Sequence, residues 1–288
     1  MQIIEPRLVK LSTRTEVEVR RNIPHAKLNR VGAWVFLDHF GPTPQVEGMQ
    51  VAAHPHTGLQ TVTWLFEGAV DHRDTIGSAQ TIHPGQLNLM TSGTGIAHSE
   101  KSVAGPASLH AVQLWLALPD AVRGVAPDFQ HVPEAPKILM DALHAKVFLG
   151  ELAGIESAAK VYSPLVGAEL RLTGTSTLPL NTSWEHAILV VAGTLEINGE
   201  QVAADQLAYI PAGARNVRLE GQDFLGILIG GAPFDEKIVM WWNFIGRSND
   251  EIVEMRESWN ARRYATVSDD LGGWIPAPEL PNVTLKAR

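Results

Sequence analysis

The feature that most constrains this fold is the distribution of apolar residues in short segments. These segments run for four to ten residues, are rich in β-branched and aromatic side chains, and are separated by 25 glycines and 18 prolines in a chain of 288 residues. The clearest segments are Ala33–Leu37, Gln60–Phe66, Leu109–Leu118, Ala187–Val191 and Leu225–Ile229. Short apolar segments bounded by turn residues are typical of β-strands. The sequence therefore predicts an all-β core.

One segment near the C-terminus has a different periodicity. Ser248 precedes Glu251 by three residues, which is the spacing of a capping box, and Ile252 and Trp259 follow at helical intervals. We predict a short amphipathic helix from about Asn249 to Arg262.

The two halves of the chain carry similar patterns. The segments Gln60–His98 and Glu185–Asn216 each contain a strand, a glycine, a turn-rich stretch and a second glycine turn. Between them, the composition of Pro119–Pro136 shifts to proline, glycine and charged residues. We therefore predict one barrel plan used twice. Residues 1–130 would form the first domain, and residues 131–288 would form the second, which ends in the helix.

The composition excludes several classes of function. Apolar residues are 45% of the chain and charged residues 19%, the balance of a soluble globular protein. The net charge of −8 gives little attraction to nucleic acid or anionic lipid. No apolar run approaches the ~20 residues of a membrane span. We expect a cytoplasmic protein that binds neither nucleic acid directly nor membrane. Because the chain has no cysteine, nitrogen and oxygen atoms must hold any metal.

Two pairs of potential metal ligands stand two residues apart. His54 and His56 form one pair, and His98 and Glu100 form the other. Alternate residues of a strand project from the same face, so two adjacent strands would present four donors to one point. Three imidazoles and a carboxylate suit one divalent transition metal, with iron expected first and manganese, nickel, copper or zinc as alternatives. Four protein ligands leave open positions on a six-coordinate ion, as in a reactive site.

The segments around these pairs match a wider pattern. The matching segments are Val31–Gly32, Leu37–Pro42, His54–Thr63, Leu65–Gly68, His72–Asp74, Pro84–Gly85, Met90–Glu100 and Gln113–Trp115. Over about residues 31–118, the sequence resembles the pirin family of the cupin superfamily. This resemblance implies a bicupin, in which two β-barrels of the double-stranded β-helix or jelly-roll type stand in tandem. It also implies mononuclear iron in the first barrel, held by the positions that are His54, His56, His98 and Glu100 here.

Three further residues and four tryptophans are candidates for roles near the metal. Gln60 stands where pirins typically have glutamate, so either it removes a negative charge close to the ion or it hydrogen-bonds to a neighbouring strand. Arg73 either pairs with Asp74 or lines the mouth of the site. His110 is either a hydrogen-bond donor beside the metal or a core histidine. Four tryptophans either line a pocket for a planar ligand or belong to the core: Trp64, Trp115, Trp241 and Trp242.

The second half of the chain lacks equivalent ligands. Its positions that correspond to the four donors are Pro179, Asn181, Asn216 and Arg218. We therefore expect the second barrel to be a scaffold or an interface, with His186 as a packed or surface histidine.

The family resemblance implies two functions. The first is a metal-dependent dioxygenase with quercetinase activity, which opens a flavonol with O2 and uses Glu100 as both metal ligand and catalytic base. The second is a redox- or metal-sensing regulatory protein that binds a protein partner, as a transcription cofactor or a modulator of a metabolic enzyme. A metal that only stiffens the fold is not favoured, because open coordination positions argue against it.

Overall fold

Strands form most of the protein, as the short apolar segments predict. The computed structural model describes residues 1–12, 15–43, 49–103, 105, 108–267 and 273–288. The strands of the first half are β1 (Gln2–Ile4), β2 (Arg7–Ser12), β3 (Thr15–Ile23), β4 (Trp34–Thr43), β5 (Gln50–His56), β6 (Leu59–Glu67), β7 (Val70–Asp74), β8 (Ala79–Ile82), β9 (Leu87–Thr91), β10 (Ile96–Ser102), β11 (Leu109–Ala117) and β12 (Asp128–Val132).

The second half contains further strands and one helix. They are β13 (Lys137–Met140), β14 (Leu143–Leu152), β15 (Ile155–Glu156), β16 (Leu165–Pro179), β17 (Glu185–Ile197), β18 (Glu200–Val202), β19 (Leu207–Ile210), β20 (Asn216–Gly231), β21 (Val239–Trp241), β22 (Phe244–Gly246) and α1 (Asn249–Asn260). All five segments predicted as strands lie in or overlap strands of the structure.

The first barrel consists of a seven-stranded sheet and a four-stranded sheet. The larger sheet has the order β12-β9-β6-β11-β4-β3-β2, and the smaller has the order β5-β10-β7-β8. Apolar side chains from both sheets pack together, including Phe40 and Leu65 from the larger sheet and Val70 and Ile82 from the smaller. Strands β5 and β10, which carry the two pairs of potential ligands, are neighbours in the smaller sheet.

The second barrel is built around three long strands, β16, β17 and β20, within a nine-stranded sheet. Its own core includes Leu170, Ile188 and Leu228, which are fully buried. Asn198 and Gly199 both have positive φ and connect β17 to β18. Asn-Gly favours such a two-residue hairpin turn, because both residues adopt positive φ readily.

The two barrels pack against each other through a continuous apolar interface. Val62 and Trp64 of β6 contact a cluster that includes Leu189 of the second barrel. The Trp64 ring stacks on Phe148 with ring centroids 4.8 Å apart, and its Nε1–H donates to Oε2 of the buried Glu169 at 2.9 Å. Strand β6 is therefore buried on both faces, one towards the interior of its own barrel and the other towards the second barrel.

The terminal segments are exchanged between the barrels. Strand β1 pairs with β19 of the second barrel. The chain after the second barrel packs on the first, where the Ala53 N–H donates to Gly273 O at 3.1 Å and the Ile275 N–H donates to Ala53 O at 2.8 Å. Because β12 pairs with β9, the expected boundary between residues 130 and 131 falls inside a strand of the first barrel.

The helix begins where the sequence predicts and ends two residues earlier than Arg262. The Ser248 side chain accepts a hydrogen bond from the Glu251 N–H, and Ile252 and Trp259 are buried. Ala261 forms the C-cap. Within the described ranges, no helix is long and apolar enough to cross a membrane.

We expect Phe148→Ala to lower the free energy of unfolding by about 3–5 kcal/mol, because the ring is fully buried between the barrels. Urea denaturation followed by tryptophan fluorescence measures this change. Ile155→Ala is the control, since Ile155 is 39% exposed and its replacement should change stability by only about 0.5 kcal/mol. Similar stabilities for the two variants would contradict the interface described above.

Candidate metal centre

The four candidate ligands converge because β5 and β10 are paired in one particular register. His54 lies directly opposite His98, and the register shifts between His98 and Glu100. The Nε2 atoms of His56 and His98 are 3.1 Å apart. The donor atoms of the three histidines lie within 4.8 Å of one another, and Glu100 offers an oxygen within the same limit of a nitrogen of His98. His98 thus belongs to two groups of potential ligands, one with His54 and His56 and one with His72 and Glu100, and all four predicted residues line one cavity.

The donor set fits a divalent transition metal. Nitrogen ligands about 2.1 Å from an ion and at right angles to each other are about 3.0 Å apart, close to the separation of the His56 and His98 nitrogens. Burial, with the neighbouring histidines, lowers the pKa of His56 and of His98 well below the ordinary value, so both imidazoles are neutral, as metal binding requires. Burial raises the pKa of Glu100, and a cation at this point would favour its carboxylate form.

The turn before β10 depends on two glycines. Gly93 has φ +49°, and a Cβ there would lie 2.0 Å from the carbonyl oxygen of Val125. Gly95 has φ +141°, and a Cβ there would lie 2.8 Å from the ring of Tyr264. Only glycine fits these positions without strain. Their close packing determines where β10 begins and hence where its ligands lie.

The ligands lie in the wall of a cavity of about 710 Å³. Phe36 and Trp115 also line it and stack with ring centroids 3.9 Å apart and an interplanar angle of 11°. The Arg21 guanidinium lies 4.3 Å above the Phe36 ring. Arg21 also donates two hydrogen bonds to Asp38, at 2.6 and 2.7 Å. The Phe36 ring is thus held between Trp115 and Arg21 in the cavity wall beside the candidate ligands.

Segments distant in sequence complete the cavity. Trp242, Ile275 and Pro276 of the C-terminal part contribute to its lining. Among the four tryptophans considered from the sequence, Trp115 and Trp242 line the cavity, Trp64 lies in the barrel interface, and Trp241 packs in the apolar cluster beneath the C-terminal segment.

Comparison with known proteins identifies the family. The family model named Pirin matches residues 16–116, and the model of the Pirin C-terminal cupin domain matches residues 165–265. A protein of Pseudomonas aeruginosa that is provisionally named a quercetin 2,3-dioxygenase is 40% identical over 92% of this chain and 86% of its own length. The chain belongs to the pirin family.

Two further pirin relatives cover nearly the whole chain. A pirin-like protein of Caulobacter vibrioides is 35% identical over 91% of this chain and 94% of its own length. A crystal structure of quercetin 2,3-dioxygenase from Acinetobacter baumannii matches with a TM-score of 0.94 and 37% identity, over 99% of this chain and 97% of that one. The bicupin architecture implied by the sequence is therefore confirmed.

Gln60 does not lie beside the metal centre of this pirin. Its Nε2 donates to Thr91 Oγ1 at 2.9 Å and to the carbonyl oxygen of Lys160, in the second barrel, at 3.2 Å. It shares its face of β6 with Val62 and Trp64, which face the second barrel. These contacts favour the hydrogen-bonding role of Gln60, whose side chain does not line the cavity of the candidate ligands.

His110 belongs to a different polar group. Its Nε2 is 2.8 Å from Nε2 of His39, whose Nδ1 is 2.8 Å from Oδ1 of Asp205 in the second barrel. Burial and the nearby His39 lower the pKa of His110 to about 4. These contacts, and the absence of His110 from the described lining of the cavity, favour the alternative of a buried, hydrogen-bonded histidine.

The expected ion pair between Arg73 and Asp74 does not form, although both residues lie in the described part of the chain. Adjacent strand residues point to opposite faces, and Asp74 instead contacts His72, with its Oδ2 3.1 Å from the histidine Nε2. Arg73 is half-buried, and it does not line the cavity of the metal centre.

Sequence reasoning missed the contact of His72 with the metal centre. Its Nδ1 is 3.2 Å from Nδ1 of His98. The signal was present in the alternation of His72 and Asp74 on a strand, the same two-residue spacing that identified the ligand pairs.

The second barrel offers no comparable group in the ranges that the structure describes, since both clusters able to hold a metal lie in the first barrel. Pro179 lies opposite Asn216 in the β16–β20 pair, and Arg218 pairs with Glu220 at the surface. His186 is buried, and burial lowers its pKa to about 4. It is a packed histidine, one of the two alternatives drawn from the sequence.

The cluster geometry predicts that the protein binds about one divalent metal ion per chain and that His56→Ala loses most of it, because one of the four donors is removed. Elemental analysis after exhaustive dialysis measures the bound metal. His110→Phe removes another buried histidine outside the centre and should keep the full metal content. A full metal content in His56→Ala would show that the ligand set is wrong.

Gln60→Leu should lower the free energy of unfolding by about 1–3 kcal/mol, because it removes the donor to the buried Thr91 Oγ1 and to the carbonyl oxygen of Lys160. The metal content should not change, since Gln60 faces the second barrel. Thermal unfolding and elemental analysis of the same sample test both statements. Reduced metal content in a folded Gln60→Leu variant would contradict the corrected position of this residue.

Proposed function

We propose that this pirin is a metal-dependent dioxygenase of the quercetin 2,3-dioxygenase type, which opens a flavonol with O2. The names of the Pseudomonas and Acinetobacter relatives support this proposal. In the reaction, one O2 is consumed for each flavonol, and the heterocyclic ring is cleaved with release of one CO.

One observation carries the proposal: the histidine–carboxylate cluster forms part of the wall of a cavity of about 710 Å³. Small-molecule sites are typically about 300–1,000 Å³ and combine apolar walls with a few polar groups. Phe36 and Trp115 place aromatic side chains in this wall, which suits contact with an aromatic ligand. A structural metal would not need such a cavity beside it.

The metal would be held by His54, His56, His98 and Glu100. Iron is our first choice, with manganese, nickel, copper and zinc as alternatives, since three imidazoles and a carboxylate suit all of these ions. When bound, the ion would polarise the oxygens of the flavonol and make its hydroxyl group more acidic.

Glu100 is the residue we assign as proton acceptor for that hydroxyl group. Among the residues that the structure describes, two carboxylates line the cavity, and Asp38 already accepts two hydrogen bonds from Arg21. Glu100 is held by weaker hydrogen bonding than Asp38. The hydroxyl of Thr63 lies 3.4 Å from Glu100 Oε1 and 3.3 Å from Gln113 Oε1, and it can donate to either oxygen. Glu100 would hold the proton within a buried site while the ring opens.

The remaining residues orient the substrate and exclude water. Arg21, held by Asp38 and by its position over the Phe36 ring, places a cation in the cavity wall. Trp242, Ile275 and Pro276 close the cavity from the side of the C-terminal segment. An apolar enclosure of this kind strengthens the electrostatic interactions inside it.

The experiment is anaerobic reconstitution with each of the five metals in turn, followed by addition of quercetin and air. O2 uptake and CO release should occur in a ratio of one to one with at least one metal. Glu100→Gln should lower kcat per bound metal by about 100-fold or more, because the proton acceptor is lost. His110→Phe is the matched control and should retain activity.

Absence of turnover with all five metals, in protein shown to contain a metal, would contradict the dioxygenase proposal. It would also direct attention to the regulatory alternative, for which partner binding by the reduced and oxidised protein is the corresponding measurement.

A further inference from the structure

A buried chain of hydrogen-bonding groups extends from His98 away from the candidate metal. Nδ1 of His98 is 3.2 Å from Nδ1 of His72, and Nε2 of His72 is 3.1 Å from Oδ2 of Asp74. The other oxygen of Asp74 accepts the backbone N–H groups of Ile76, at 3.0 Å, and Ser78, at 2.9 Å. Each of the three side chains is at most 4% exposed.

The sheet holds this chain of groups in place. Strand β7 pairs with β10 so that Asp74 lies opposite His98 and His72 lies opposite Glu100. The His72 ring also stacks on Phe129, with ring centroids 4.5 Å apart. These contacts come from the main-chain register and from a third strand, β12, so the histidine has little freedom to turn.

The hydrogen bonds determine where each proton lies. A carboxylate only accepts, so the proton between Asp74 and His72 is on Nε2 of His72. Nδ1 of a neutral His72 is then an acceptor, and the 3.2 Å contact requires a proton on Nδ1 of His98. The Nε2 atom of His98, which lies 3.1 Å from Nε2 of His56, is consequently the ring nitrogen that carries no proton.

We propose that His72 and Asp74 are positioning residues that fix His98 in the tautomer whose Nε2 can bind the metal. This inference rests on the metal site of the proposed function. The Asp74 carboxylate, acting through His72, also increases the basicity of the His98 imidazole and so strengthens its bond to a cation. Neither residue is assigned as a ligand.

The substitution Asp74→Asn tests the proposal sharply. The backbone N–H groups of Ile76 and Ser78 require an acceptor, so the amide oxygen of the new side chain should accept their hydrogen bonds, as Asp74 Oδ1 does in the wild type. The NH2 group of the amide then faces Nε2 of His72. His72 then becomes a donor at Nδ1, and the proton of His98 moves to Nε2, where it blocks metal binding. This substitution of one nearly isosteric group therefore reverses the direction of each hydrogen bond from residue 74 through His72 to His98.

The first measurement is the tautomer of His98 in the metal-free protein, from long-range ¹H–¹⁵N NMR correlations assigned by their loss in His98→Gln. The expected result is a proton on Nδ1 in the wild type and on Nε2 in Asp74→Asn. The same tautomer in both proteins, or a wild-type proton on Nε2, would overturn the proposal. This readout requires neither bound metal nor activity.

The second measurement is the affinity for Ni²⁺ by competition with a chelator. Asp74→Asn should bind roughly 10- to 100-fold more weakly than the wild type. His72→Phe should show a smaller loss, because His98 then selects its tautomer freely. Asp71→Asn, on the same strand and bonded to Thr81, is the matched control and should leave the affinity unchanged.

The double variant His72→Phe/Asp74→Asn separates positioning from a structural role. Since Asp74 acts through His72, the double variant should bind Ni²⁺ as well as His72→Phe does. An additional loss in the double variant would show that Asp74 supports the site in another way and would overturn the proposal. Wild-type protein that binds no metal would instead contradict the proposed function, while the NMR result would still decide the tautomer.

Discussion

The antiparallel pairing of β5 with β10 is the constraint on which the candidate metal centre depends. It places His54 opposite His98 and brings Nε2 of His56 to 3.1 Å from Nε2 of His98. If the register of β5 against β10 shifted by one residue, the ligand pair on one of the two strands would point to the opposite face of the sheet, since the side-chain period of a strand is two. The glycine turn before β10 and the pairing of β10 with β7 on its other edge hold this register.

The sequence alone predicted the ligand cluster because its signal is local. His54 with His56, and His98 with Glu100, carry their geometry in a spacing of two residues, and any extended conformation places each pair on one face. The helix was predictable for the same reason, because its cap and apolar positions lie within twelve residues of each other. The two-barrel architecture followed from the repeated pattern and from the family resemblance.

Gln60 and His110 show where local patterns fail. Their strands, β6 and β11, are buried on both faces, so alternation of apolar and polar residues does not distinguish the barrel interior from the interface. Only the contacts with Lys160 and with the His39–Asp205 pair reveal which face each residue occupies. His72 was missed because its significance depends on the pairing of β7 with β10. The exchange of terminal strands depends on pairing between opposite ends of the chain, which a single sequence does not encode locally.

The packing of the C-terminal segment on the first barrel determines which part of the metal centre is synthesised last. A ribosome releases the chain from its N-terminus, and domains generally fold in that order as they emerge. The donor strands β5 and β10 emerge well before Trp242 and Ile275, which close the cavity. The part of the chain that carries all four candidate ligands is therefore synthesised before the residues that complete the cavity wall.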